Sequence, residues 1–330
     1  MQNFQSVLTL TFPVFALVLC GYVATRRTML PIGAIPGLSV FVLYFALPAM
    51  LFHFGAVTPL AQLLDLRLIL LYSACSLILV AATVLASRNE RIGIKDAAFG
   101  GLVAAFPNSG FMGIPLILAL LGQKAIGVVI LTILVDIFLT SSLCLSMARM
   151  QGVAGVRRHW PTLIRAIVRS LRGAASNPMP WAIALGALFG WSGLVMPEPV
   201  GKTIALLSDA ASPAALFTIG AILARNAVRE THSSRLVDYV PVALAKLFVH
   251  PLLIFLASCV AQKIGFPISA QNFTTVMLVA SLPSASNVSM LAERFGVDSD
   301  RIARIIMVST AASFVTFSGM VWLLGVQPPS

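Results

Sequence analysis

The sequence predicts an all-α membrane protein of about ten transmembrane helices, built as two inverted five-helix repeats with the fourth and ninth helices broken. Three observations carry this: ten long apolar runs, positive charge that alternates between the gaps separating them, and a short motif that returns five runs later.

Composition sets the solvent. Of 330 residues, 58% are apolar and 10% charged, with a mean hydropathy of +0.96. Soluble domains carry roughly 25% charged residues, so too little polar material is present to face water. Lipid must surround most of the fold. The net charge of +11 does not point to nucleic acid, because no basic helix or sheet is interleaved with exposed aromatics. Basic residues collect on the cytoplasmic loops of membrane proteins. Cys20, Cys75, Cys144 and Cys259 each sit in an apolar run without metal spacing, and read as small core residues. No metal or cofactor is expected. The first charge is Arg26, so the positive start of a cleavable signal peptide is missing.

About 20 apolar residues cross a bilayer core. Runs meeting this lie near 4–25, 37–57, 67–87, 97–121, 125–148, 177–196, 203–224, 239–262, 271–292 and 305–326. The odd-numbered gaps carry 17 of the 22 Lys and Arg, and the even-numbered gaps carry 4. The positive-inside rule then places the odd gaps in the cytoplasm and both termini in the periplasm of a bacterial inner membrane. The longest gap, 149–176, sets Arg165, Arg169 and Arg172 opposite Leu163, Ile164, Ile167, Val168 and Leu171. It reads as an amphipathic linker on the inner leaflet, between a first repeat at 1–148 and a second at 177–330.

The repeat shows in two ungapped segments. Leu47–Ala56 (LPAMLFHFGA) matches Ser212–Ala221 (SPAALFTIGA) at Pro48/Pro213, Ala49/Ala214, Leu51/Leu216, Phe52/Phe217, Gly55/Gly220 and Ala56/Ala221. An odd number of helices per half makes the second copy enter the membrane from the opposite side, as in secondary transporters. Runs four and nine should then correspond. One contains Phe106-Pro107-Asn108-Ser109-Gly110 and the other Leu282-Pro283-Ser284-Ala285-Ser286-Asn287. Proline removes a backbone donor and clashes with the preceding turn. In lipid the freed groups must line a cavity or meet other protein. Two such breaks in equivalent places predict a midplane binding site.

FPNSGFMGIPL in run four, the Pro-Ala-x-Leu-Phe segment of run two, SDAASPAALFTIGAILAR in run seven and LAKLFVHPLL in run eight resemble the auxin efflux carrier family. That family includes plant carriers and bacterial malonate-type carriers. The resemblance implies a scaffold of helices 1, 2, 6 and 7 and a mobile unit of helices 3–5 and 8–10. It further implies elevator-type alternating access, crossover residues flanking a small organic anion, and a homodimer through the scaffold. Pro107, Asn108, Ser109 and Gly110 with Pro283, Ser284, Ser286 and Asn287 are the expected substrate contacts.

Ionisable groups inside a membrane usually face a cavity or a partner. Lys246 in run eight either receives a carboxylate or pairs with Asp136 or Asp209. Asp136, one helix after the first break, either couples a proton or Na⁺ or serves that pairing. Asp209 lies four residues before Pro213, where interface or hinge packing is expected. His250 follows Lys246 by one turn and is, with Asp136 and Asp209, a coupling or ion-pair candidate, and His53 lies in run two; a lone histidine in such a run reads first as a core group. Gly186 and Gly190 form a GxxxG pair suited to close helix packing. An intramembrane enzyme would need a nucleophile–base or metal motif, and a sensor would bring a soluble output domain; neither is visible. No P-loop is present.

Overall fold

The computed structural model describes residues 4–150, 168, 172, 173, 175–228 and 235–326. Each helix takes the number of its apolar run: α1 Phe4–Arg26, α2 Ile32–Val57, α3 Leu66–Ser87, α4a Ile94–Ala105, α4b Ser109–Leu121, α5 Gln123–Arg149, α6 Pro178–Ser192, α7 Glu198–Val228, α8 Leu236–Lys263, α9a Ala270–Ala280, α9b Val288–Phe295 and α10 Ser299–Leu323. Among the described residues no strand occurs. Helices α2, α3, α5, α7, α8 and α10 are long and apolar enough to cross a membrane by length and composition. Shorter apolar helices occupy Thr11–Arg26 and Ser109–Leu121. The expected amphipathic linker falls almost wholly outside the described residues.

Local signals set the ends. Asp65 accepts from the Arg67 and Leu68 amides, Ser269 from Asn272, and Asp298 from Arg301, each capping a helix start. Gly193 and Gly296 close α6 and α9b in the left-handed region, where only glycine is unstrained.

Four helices contain a widened turn with an i→i+5 hydrogen bond. Three of these turns, Val42–Ala46, Ser109–Gly113 and Ala245–Val249, end two residues before Pro48, Pro115 and Pro251. A ring without an N–H cannot continue the ladder, and the preceding turn expands to absorb it. The fourth, Asp136–Thr140, has no proline. There the Ser141 hydroxyl donates to the Asp136 carbonyl at 2.9 Å. Each device swings a side chain off the regular helical face, among them Asp136 and Lys246.

The packing uses small residues. Helix α1 lies along α7, and α2 lies along α6 and α7. A Cβ on Gly21 would strike the Phe217 carbonyl, and one on Gly220 the Val18 carbonyl. Cβ atoms on Gly186 and Gly190 would strike the carbonyls of Phe52 and Ala56. The expected GxxxG contact therefore joins α6 to α2, with backbones nearly touching. Helix α3 packs on α4a and α8, α9a on α5 and α8, and α10 on α8 and α9b. Large apolar side chains such as Leu85, Leu206, Val237 and Leu323 point outward, as a lipid-facing surface requires.

One buried arginine ties three helix starts together. Arg301 at the start of α10 donates from Nε to the Asp238 carbonyl at 2.8 Å and from Nη1 to the Asp96 carbonyl at 3.1 Å. The Asp298 amide donates to the Asp96 carboxylate at 2.9 Å, and Lys95 Nζ to the Gly296 carbonyl at 3.1 Å. Helices α4a, α8 and α10 all enter this knot, which ties their ends together.

Candidate functional site

Helix α4 stops at Ala105 because Pro107 pushes Phe106 into extended backbone, φ −97° and ψ 98°. Helix α9 stops at Ala280, before Pro283. The two extended segments run antiparallel across each other, with Pro107 facing Ser284. The Asn108 amide donates to the Pro283 carbonyl at 2.9 Å, and the Ala285 amide to the Phe106 carbonyl at 3.0 Å. Each break thus satisfies backbone groups freed by the other, which is how irregular backbone survives inside protein at membrane depth. The Ser284 amide is held by Ser309 Oγ of α10 at 3.2 Å.

Two half-helices begin at this crossing, α4b at Ser109 and α9b at Val288. Their N-termini carry partial positive charge, and the Ser109, Val288 and Ser289 amides bond to the Pro107, Ala285 and Ser286 carbonyls. Between them lies a cavity of about 30 Å³, room for about two waters. Pro107, Asn108, Ser109, Gly110 and Phe111 form one wall and Ala285 and Asn287 another. Asp136 and Ile137 of α5 and Asn177 and Met179 of α6 complete it.

The crossing also holds a concentration of unsatisfied polar atoms. Asn108 Nδ2, Ser109 Oγ, Ser284 Oγ, Ser286 Oγ and Asn287 Oδ1 are buried and have no hydrogen-bond partner. Buried polar groups are nearly always paired, so five orphans within two short segments mark a place built to receive something polar. All but one of the five can donate a hydrogen bond, which favours an anionic guest.

Behind the crossing lies a second polar cluster. Lys246 is fully buried, and its Nζ donates to the Ala280 carbonyl at 2.7 Å and lies 2.9 Å from His250 Nδ1. It therefore caps the negative C-terminal end of α9a. The His250 ring lies 5.8 Å from that of Tyr72 on α3. Tyr72 in turn donates to Asp136 Oδ2 at 2.9 Å, while Thr140 donates to Asp136 Oδ1 at 3.3 Å. Among the described residues no ion pair joins Lys246 to Asp136 or Asp209.

Of the residues expected from sequence, Pro107, Asn108, Ser109, Gly110, Asn287 and Asp136 line the cavity. Pro283, Ser284 and Ser286 form the crossing but do not line that cavity. Lys246 is also outside its lining, and the pairing with an aspartate is corrected to a helix-end cap, because a backbone carbonyl lies closer. His250 belongs to the Lys246 cluster. Asp209 is exposed on α7 and His53 exposed on α2; neither reaches the site. Sequence reasoning missed Asn177. Its Oδ1 caps α6 by accepting from the Met179 amide at 3.0 Å, and the Asn177-Pro178 pair was a readable helix-start signal.

Comparison with known proteins gives a consistent result. A family profile described as "Membrane transport protein" matches residues 6–321. The chain is 29% identical over 320 residues to a protein of Rhizobium meliloti (strain 1021) named "Putative malonate transporter", covering 96% of this chain and 95% of that one. It is 28% identical over 306 residues to a protein of Methanothermobacter thermautotrophicus (strain Delta H) named "Uncharacterized transporter", covering 92% and 93%.

Proposed function

Because the chain belongs to the membrane transport protein family, the auxin efflux carrier group its motifs resembled, we propose that it carries a small organic anion across the bilayer by alternating access. The observation that carries this is the crossing itself: two half-helix N-termini and orphaned Asn and Ser groups around one buried cavity. Neutral donors and amides bind a carboxylate without a permanent charge, which lets the carrier release it. The malonate-type relative makes a short dicarboxylate the first candidate, with an auxin-like monocarboxylate the second.

The packing supports a division into a scaffold of α1, α2, α6 and α7 and a mobile unit of α3–α5 and α8–α10. Gly55 of α2 presses on α6, and its repeat partner Gly220 of α7 presses on α1, so matching positions do matching work in the two halves. A three-carbon dicarboxylate does not fit the present cavity. Two of its walls, Asn177 and Met179, stand on the scaffold helix α6. Sliding the mobile unit past α6 would open it. The seam between α5 and α6 also contains an apolar cleft of about 300 Å³ beside Leu134, Phe138 and Trp181, so little packing opposes the slide. Charge alternation along the chain supports an inner-membrane protein with periplasmic termini. The scaffold is the surface proposed for a homodimer.

Purified protein in liposomes should take up labelled malonate saturably, with malate, lactate and indole-3-acetate as competitors. Asn108→Ala removes a donor to a charged ligand, worth about 1.5–3 kcal/mol, and should weaken malonate affinity about 10- to 100-fold. If none of these anions binds or moves, the anion carrier is wrong.

A further inference from the structure

Resting on the anion reading above, we propose that Asp136 is the coupling group of this carrier: the anion binds only when the Asp136 carboxylate holds a proton, so that substrate and proton cross together. The geometry demands a choice between two negative charges. Asp136 lines the same contracted cavity as Asn108, Ser109 and Asn287, so an anion held by those donors would lie against its carboxylate. Two like charges in one buried site disfavour each other's ionised form, and the cavity holds too little water to screen them.

The groups facing Asp136 leave it as the one that must change. From α3 comes Tyr72, whose hydroxyl donates to it. From α8 come Lys246, charged but already bonded to the Ala280 carbonyl, and its neighbour His250. From its own helix come only the hydroxyls of Thr140 and Ser141. The crossover segments and α6 bring only neutral groups, among them Asn108, Ser109, Asn177 and Asn287. No second acid is present among these to share the task. The Tyr72 and Thr140 hydroxyls can each donate to the carboxylate or accept from the carboxylic acid, while Ser141 bonds the Asp136 backbone carbonyl, so both protonation states keep partners.

The charge count then closes in both halves of a cycle. In the empty site ionised Asp136 balances Lys246. With a proton on Asp136, a bound monoanion balances Lys246 instead. Either way the mobile unit moves through the lipid with its buried charges compensated, avoiding the cost of an unpaired ion. The proton comes from the water that enters when the cavity opens, and it leaves with the anion on the far side. A dicarboxylate obeys the same rule when carried as its monoanion.

The test is malonate binding to purified protein as a function of pH. Between about pH 6.5 and 8.5 the dissociation constant of the wild type should rise with pH, by up to about a hundredfold per unit, one factor of ten for the Asp136 proton and one for malonate's own second proton. In Asp136→Asn only malonate's own factor of about ten per unit should remain. In weakly buffered solution wild-type protein should take up about two protons per malonate bound, one of them on the ligand itself, a readout that does not depend on the variant folding. Absence of malonate binding at every pH removes the anion reading and this inference with it. Binding with no more than malonate's own slope in the wild type, an undiminished slope in Asp136→Asn, or a dependence on Na⁺ at constant pH in place of the proton removes this inference alone.

Discussion

Lys246→Met is expected to leave a folded protein whose malonate uptake falls at least about tenfold. Methionine replaces most of the lysine stem, so the core stays filled. What disappears is the ammonium that bonds the Ala280 carbonyl and lies against His250. Leaving that carbonyl bare in the protein interior costs about 1–3 kcal/mol, and it falls at the very end of the half-helix leading into the crossing. The charge that balances Asp136 disappears as well. Uptake in liposomes measures the main effect, and gel filtration with thermal melting separates it from unfolding. Wild-type uptake in this variant would show that the cluster behind the crossing plays no part in transport.

Gly220→Leu should have the largest effect on the fold itself. Any Cβ there meets the Val18 carbonyl, and backbone cannot rotate away as a flexible side chain can. Helices α1 and α7 must separate along their whole contact, at a cost of about 3 kcal/mol or more. We expect loss of the monodisperse gel-filtration peak and a sharp drop in membrane yield. Gly319→Ala in α10 is the matched control. Nothing lies within 4 Å of its Cβ position, and alanine favours a helix by about 1 kcal/mol over glycine. Equal behaviour of the two variants would mean that the α1–α7 contact does not hold the molecule together.

Several parts of this arrangement were legible in the residues alone. Pro107 and Pro283 announce their breaks because proline acts on its own chain, whatever surrounds it. The apolar runs mark their helices to within a few residues because lipid demands a fixed length of apolar chain. Gly186 and Gly190 reveal a close contact because their spacing repeats on one helix face. Gly21 has no such partner in sequence, and its contact with the Phe217 carbonyl depends on where two distant helices cross. The same limit hid the true partner of Lys246. A backbone carbonyl has no sequence signature, so a search among side chains pointed to Asp136 and Asp209. Asn177 was readable as a helix start, but its place in the cavity follows from how deep α6 begins.

The paired hydrogen bonds between Pro107 and Ser284 and their neighbours also bear on how the protein is made. The acceptor at Phe106 and the donor at Asn108 emerge from the ribosome long before Pro283 and Ala285 exist to meet them. Until α9a and the segment after it are synthesised, the break between α4a and α4b must remain with open peptide groups. Insertion of the amino-terminal half alone is therefore an unfinished event, and the two halves become a stable body only when the later one threads in and closes the knot.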